Sequence, residues 1–428
     1  MNTQFSTKDN RPWKKKFFMI WSGQALSILG SQLVQFALIW HLTVTTGSAT
    51  VLATASMIGM LPSVLLGPVV GTLVDRWNRR RVMQLSDSLI AIATVLLAVL
   101  FSFGAVSRWH IYLLMFIRSL AGSFHGHAMN ASTSLMVPIE KLTRIQGINQ
   151  MLNGGINIVS APLGALLLNA LPLQGILLID VVTALFAILP LFFIHIPQPS
   201  NQREDSQATV FQDLKDGFKF VLDWPGLLII SLMTVGINFT IIPAFSLLPL
   251  LVNDYFGGSA VHLSWVEAGL GIGVFSGGAL LSIWGGFDKK ILTSMLGLAG
   301  MGVGALIFAI TPTSAIFLAI AGAFVVGFMQ PITMGPFYAV IQSTVEPNMQ
   351  ARIFSLLSSL GGGMAPLGLM LAGPIADLFG IQIWFLLTGI ITFAMAMVGV
   401  LMPAVKNIEK TRFNSKTELS PDSKPIRI

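Results

Sequence analysis

The sequence predicts an all-α membrane protein with twelve transmembrane helices in two pseudo-symmetric six-helix bundles. Three observations carry that prediction: long continuous apolar runs, basic residues confined to one side of them, and an internal repeat. Of 428 residues, 54% are hydrophobic and only 10% are charged, against about 25% charged in a soluble domain. Runs of this length suit α-helices crossing a hydrocarbon core about 30 Å thick. Only helices and closed barrels satisfy the backbone in lipid, and barrel strands would alternate in character over about 10 residues. These runs do not alternate. The chain has no cysteine, which excludes disulfides and thiolate metal or redox sites.

Residues 1–16 form a polar, basic N-terminal tail containing KDNRPWKKK. The run that follows is too long for a signal-peptide core and ends without a small-residue cleavage site, so it is expected to be an uncleaved first span. Twelve spans are expected at roughly 17–45, 50–74, 82–104, 110–132, 146–170, 174–196, 226–252, 262–285, 291–311, 314–342, 353–376 and 381–403. They group into an N-terminal bundle (17–196) and a C-terminal bundle (226–403). Between them, 197–225 is an expected cytoplasmic linker, where Phe211, Leu214, Phe218 and Val221 recur at the spacing of a short amphipathic surface helix. A plain linker helix without lipid contact fits the same spacing. Residues 404–428 form a C-terminal tail.

With the N-terminus inside, 23 of the 25 Lys and Arg residues fall in the tails and cytoplasmic loops, leaving Arg108 outside and Arg118 within a span. Cytoplasmic loops are enriched in this way, so both termini are expected on the cytoplasmic face. The net charge of +7 belongs to that face and not to a nucleic-acid surface, since no compact basic domain exists.

The halves echo each other at a shift near 210 residues. TGSATV (46–51) returns as GGSAVH (257–262), and VDRWNRRRV (74–82) returns as FDKKIL (287–292), setting Asp75 against Asp288. VPIEKLTRIQG and SAPLG (160–164) return as VEPNMQARIFS and MAPLG (364–368). Two related six-helix bundles around a midplane site form a transporter arrangement that works by alternating access.

These residues also carry a family resemblance. The stretch from Gly71 through Asp75, Arg76, Arg79 and Arg80 to Arg81 resembles the loop motif between spans two and three of the major facilitator superfamily. It departs at Val74, at Asn78 (a glycine in the motif) and in one extra arginine. Arg118-Ser-Leu-Ala-Gly122 is similar to that superfamily's Arg-x-x-x-Gly motif. Ser160-Ala-Pro162-Leu-Gly164 is similar to its antiporter Gly-Pro-x-x-Gly motif, with alanine for the first glycine. The order of WSGQALSILGSQL, FIRSLAGSFH, DYFGGSAVHLSWVE and ARIFSL resembles the macrolide-efflux branch of bacterial drug:proton antiporters, up to about residue 405. The resemblance implies the major facilitator fold and drug export driven by protons across a bacterial cytoplasmic membrane, by a monomer without cofactor. It assigns proton coupling or cavity electrostatics to Arg118; Gly71, Asp75, Arg76, Arg79, Arg80, Pro162, Gly164 and Asp288 are the expected gating residues. Asp75 is expected to latch the outward-facing state closed on the cytoplasmic side.

An ionisable group within a span costs about 2.5–3.5 kcal/mol on insertion scales, so each suggests function. Six stand out: Asp87, Arg118, His125, His127, Asp180 and Glu267. Arg118, Gly122 and His125 share one helical face. Glu267 and Asp180 are the candidates for the coupling proton, because burial drives a carboxylate towards protonation unless a positive partner holds it ionised. Asp87, one turn into its span, is expected to partner the arginine loop. His125 and His127, two apart on a helix, point about 200° away from each other, so no metal site is expected.

Two polar stripes recur at three- and four-residue spacing: Gln24, Ser27, Ser31 and Gln35, then Gln146, Asn149, Asn153, Asn157 and Ser160. From them, Gln24, Ser31, Gln35, Asn149, Asn153 and Asn157, with His125, are the expected substrate-cavity residues; interhelical hydrogen bonding explains the same stripes. Phe36, Trp40, Phe239 and Phe245 are candidates for adaptable apolar surface. Gly-x-x-x-Gly at 67–71, 269–273, 273–277 and 300–304 reads as close helix packing. GLGIGVFSGG lies within a span and lacks a following Lys-Ser/Thr, so it is not a nucleotide loop. Transport energy must then come from an ion gradient. Competing functions are transport of an endogenous metabolite such as a siderophore, or a non-transporting sensor or scaffold, which the lack of a large soluble domain disfavours. Neither His-Glu-x-x-His nor Gly-x-Ser-x-Gly supports an enzyme.

Overall fold

The computed structural model describes residues 13–198, 218–345 and 347–409. Among them are twelve long helices: α1 (Trp13–Thr46), α2 (Ala49–Arg76), α3 (Arg79–Ser102), α4 (Arg108–Met136), α5 (Ile139–Ala170), α6 (Leu173–Phe193), α7 (Pro225–Ser246), α8 (Ala260–Trp284), α9 (Lys290–Ile310), α10 (Ile316–Thr344), α11 (Pro347–Phe379) and α12 (Gln382–Leu401). The described residues contain no strand. Eleven of these helices are long and apolar enough to cross a membrane. The exception is α4, which has the length but carries Arg118, His110, His125 and His127.

Polar turns extend several helices beyond their apolar runs. α5 starts at Ile139, ahead of the expected 146, and α11 starts at Pro347, ahead of 353. The expected seventh span to 252 is interrupted: α7 stops at Ser246, and a short turn (Leu248–Leu250) leads into a wider one (Leu251–Tyr255). Pro243 and Pro249 each remove a backbone donor there, while the surrounding leucines keep the hydropathy high and hide the break. α4 and α8 each begin on a capping box in which Ser107 with His110, and Ser259 with His262, satisfy the first free N–H groups. The expected amphipathic helix falls mostly on residues outside those described, including Phe211 and Leu214; of the remainder, Val221 is buried and Phe218 exposed.

The chain divides into two compact units, Met1–Thr46 with Ala55–Ser206, and Gly47–Thr54 with Gln207–Ile428. The second unit takes in the start of α2 because α11 caps it. Asp377 accepts from the backbone N–H of Ala49 (2.7 Å) and Thr50 (3.0 Å) and from Ser48 Oγ (3.1 Å). A carboxylate there meets the positive end of the helix dipole and two of its free donors.

In the first unit α1 packs on α5 and α6, and α3 on α4 and α6. Gly23 and Gly30 let α1 approach α6, since a Cβ at either would strike the Phe186 carbonyl or the Thr183 hydroxyl. In the second unit α10 packs on α8 and α9, and α9 on α12. Gly273 and Gly277 of α8 lie against the α10 backbone at Phe324 and Phe328, and Gly304 of α9 lies against Val326 and Gly322. The Gly-x-x-x-Gly at 67–71 does not pack this way. Among the described residues, nothing lies within 4 Å of a Cβ at Gly67, and one at Gly71 would meet only the His127 ring, at 3.6 Å. Small-residue spacing signals close approach only where a second helix lies on that face.

Gly277→Ala is therefore expected to force α8 and α10 apart, costing about 1–3 kcal/mol. Gly67→Ala is expected to change stability by less than about 0.5 kcal/mol. Thermal unfolding of the two purified variants beside the parent protein checks the contrast.

Candidate functional site

Buried polar side chains on four helices of the first unit meet in two layers. Three helices each supply a pair seven residues apart: Gln24 and Ser31 on α1, Asp87 and Thr94 on α3, Arg118 and His125 on α4. Seven residues are nearly two full turns, so each pair shares a face and is separated by about 10.5 Å along its axis. Ser31, Thr94 and Arg118 meet Asp180 of α6 in one layer, and Gln24, Asp87 and His125 meet in the other.

The first layer is an ion pair with a full set of partners. Arg118 Nη1 lies 2.6 Å from Asp180 Oδ2, with side-chain exposures of 10% and 1%. Ser31 Oγ donates to Asp180 Oδ1 (3.1 Å), and Thr94 Oγ1 lies 3.4 Å from Oδ2. Arg118 also donates to Thr94 Oγ1 (3.3 Å) and to the Ser31 carbonyl (3.0 Å). This layer joins the two sequence candidates into a neutral unit. Asp180 and Arg118 cancel each other's charge.

The second layer is sparser. Gln24 Nε2 donates to Asp87 Oδ2 at 3.0 Å, and His125 Nε2 stands 3.5 Å from Asp87 Oδ1. Gln24 and Asp87 are 3% and 6% exposed. Asp87 was expected to partner the arginine loop; it turns inward instead, to α1 and α4. The signal that would have revealed this was its seven-residue spacing from Thr94, matched by the Gln24–Ser31 and Arg118–His125 pairs. His127 diverges from His125 as the helical geometry requires, its Nδ1 meeting the Ser123 carbonyl at 2.8 Å.

The loop arginines instead secure helix ends. Arg80 donates to the Leu191 carbonyl and, at 2.7 Å, to that of Phe192, at the C-terminus of α6, where a cation complements the helix dipole. Arg79 is buried, with Nη1 3.5 Å from the Ala131 carbonyl of α4. Asn78, which replaces the motif's glycine, caps α3 by accepting from the Arg81 backbone at 3.1 Å. Arg76 is exposed, and the side chain of Asp75 lies outside the described residues. In the echoing loop, Lys290 Nζ donates to the carbonyls of Gly285 (2.9 Å) and Phe287 (3.2 Å) after α8. Asp288 is exposed, with no bond among the described residues.

The remaining candidates scatter. Asn149 accepts from Trp21 Nε1 at 2.6 Å, tying α5 to α1. Asn153 and Asn157 are exposed on the surface of the first unit, and Gln35 is half-buried without a hydrogen bond among the described residues. Gly164, two residues past Pro162, admits the Phe36 ring, 2.8 Å from where a Cβ would stand. In the second unit, Glu267 on α8 has no ion pair or hydrogen bond among the described residues. It lies about 200° around the helix from Trp265, which is 43% exposed.

A bundle of membrane-length helices with charged and amide side chains enclosed in it defines a multi-pass membrane transporter. The chain belongs to the Major Facilitator Superfamily, whose family model matches residues 20–368. It is 34% identical over 398 residues to macrolide efflux protein A of Streptococcus pyogenes, covering 93% of this chain and 98% of the relative. To the protein of the same name in Enterococcus faecalis it is 32% identical over 323 residues, covering 76% and 100%. The multidrug efflux pump Tap of Mycolicibacterium fortuitum is 24% identical over 389 residues, covering 89% and 94%. Among solved structures, a bacterial homologue of the human lysosomal transporter Spinster matches with a TM-score of 0.65 and 13% identity, covering 95% and 99%. The nucleoside transporter NupG matches with a TM-score of 0.63 and 16% identity, covering 88% and 97%. These two share the fold.

Asp180→Asn leaves Arg118 buried without its counter-charge and is expected to cost about 3–5 kcal/mol. Asp180→Glu, which keeps the charge, is expected to recover part of that loss. Thermal unfolding of both variants in detergent measures the difference.

Proposed function

We propose that this protein exports bulky, amphipathic, cationic drugs of the macrolide type across a bacterial cytoplasmic membrane, by proton-driven alternating access, as a monomer with both termini inside. The observation that carries this reading is the near end-to-end similarity to macrolide efflux protein A. The confinement of basic residues to alternate loops supports the orientation. The enclosed acids support ion coupling, and with no nucleotide loop in the sequence an ion gradient is the remaining energy source. No covalent step on the drug is needed.

The acids divide the work. Asp180 is committed to Arg118, Ser31 and Thr94, so the pair sets the electrostatics of the first unit. Glu267 faces away from the exposed side of α8 with no counter-charge among the described residues. That setting makes it the candidate to carry the coupling proton. Asn153, Asn157 and Gln35 keep amide groups without protein partners among the described residues, and these bond a polar drug at less desolvation cost than a charge. The loop from Gly71 to Arg81, with Asp288 in its echo and Pro162 and Gly164 on α5, governs access.

Accumulation of a radiolabelled macrolide in an efflux-deficient host, with and without an uncoupler, tests the reading. Expression is expected to lower accumulation, the uncoupler to restore it, and Glu267→Gln to bring export down to the uncoupled level while macrolide exchange persists. Unchanged accumulation across a panel of labelled drugs would contradict drug export and favour an endogenous metabolite.

A further inference from the structure

The two layers of the first unit differ in one chemical respect. Both oxygens of Asp180 are engaged by donors. Among the described residues, Asp87 has a single donor, the Gln24 amide on Oδ2. Its other oxygen faces His125 Nε2 across 3.5 Å, and that nitrogen is buried with no hydrogen bond among the described residues. An acceptor oxygen and a ring nitrogen thus face each other just beyond bonding distance in the interior of a membrane protein.

We propose that Asp87 and His125 together bind one exchangeable proton, making this layer a protonation station in the first unit; the proposal rests on the proton-coupled reading but not on Glu267. With the proton on His125 Nε2, its N–H donates to Asp87 Oδ1 and the layer is a neutral imidazolium–carboxylate pair. When the proton leaves, a neutral imidazole faces a carboxylate and the layer carries one uncompensated negative charge. Burial makes that charge costly, so the layer rearranges or draws in a cation. Atoms and charge balance, because one proton arrives and one leaves.

The other charged groups around the pair have partners of their own. From α1 it meets the Gln24 amide. On α4, Arg118 stands two turns away and is paired to Asp180 of α6, while His127 turns to the Ser123 carbonyl. On α3 itself, Arg79 and Arg80 lie two turns in the other direction and reach the carbonyls of Ala131, Leu191 and Phe192. The shared seven-residue register places the station on the same faces of α1, α3 and α4 as the ion pair, so movement of these helices reaches both layers together.

The test uses the full chain in proteoliposomes with a radiolabelled macrolide and an imposed pH gradient. Parent protein that shows no gradient-driven transport overturns proton coupling and this station with it. If the parent is coupled, Asp87→Asn is expected to lose gradient-driven accumulation yet keep macrolide exchange, and His125→Gln to shift the midpoint of the pH profile by about one unit. A coupled parent with Asp87→Asn and His125→Gln profiles that match it overturns the station alone. Should Asp87→Asn fail to fold, ring 15N resonances of His125 in the parent protein decide. Titration between about pH 5 and 9 that shifts with added macrolide supports the station, and a ring held in one protonation state overturns it.

Discussion

The interaction on which the rest depends is the Arg118–Asp180 ion pair. A guanidinium in the middle of a membrane-length helix is tolerable only if its charge is cancelled and its donors are filled. Here α6 supplies the carboxylate, α3 a hydroxyl, and α1 both a hydroxyl and a carbonyl. Four helices must therefore meet at one level. That requirement fixes the register of α1, α3 and α4, and a second polar layer follows from it two turns away. The glycines at 23 and 30, which bring α1 onto α6, provide the close approach that lets Ser31 reach Asp180.

The second unit is built on another principle. Its helices hold together through small residues pressed against neighbouring backbone, and the polar crossing near the Pro243 break is modest: Trp384 Nε1 and Thr388 Oγ1 both donate to the Thr240 carbonyl. Glu267 is conspicuous against that apolar packing. Among the described residues, the first unit encloses a compensated ion pair and the second encloses Glu267 without a counter-charge, so the internal repeat preserved the arrangement of helices but not the chemistry inside them. In the loops, Arg80 and Lys290 each reach carbonyls at a helix end, that of α6 for Arg80 and that of α8 for Lys290.

Much of this was legible in the sequence, because membrane-spanning helices obey a single dominant constraint. Continuous apolar length located all twelve helices, including α4, whose charge lowers its hydropathy. What escaped were features decided by direction in space. Asp87 looked like a neighbour of the arginine loop because it is close in sequence, yet rotation about α3 turns it to Gln24 and His125. Gly67 and Gly71 carry the packing pattern but meet no second helix backbone. Asp377 stands near the end of an expected span, and no local pattern links it to the helix it caps more than 300 residues away in sequence. The polar stripe on α5 split as well: Asn149 ties to Trp21, while Asn153 and Asn157 remain on the surface of the unit.

The proposed function couples drug export to protons held inside the protein, and proton release on drug binding tests it most directly. Purified full-length protein in weakly buffered detergent, monitored with a pH indicator, would receive a macrolide at neutral pH. The account predicts a saturable release of protons, reduced in Glu267→Gln. A macrolide that binds without any proton release, from about pH 6 to pH 8, would contradict it.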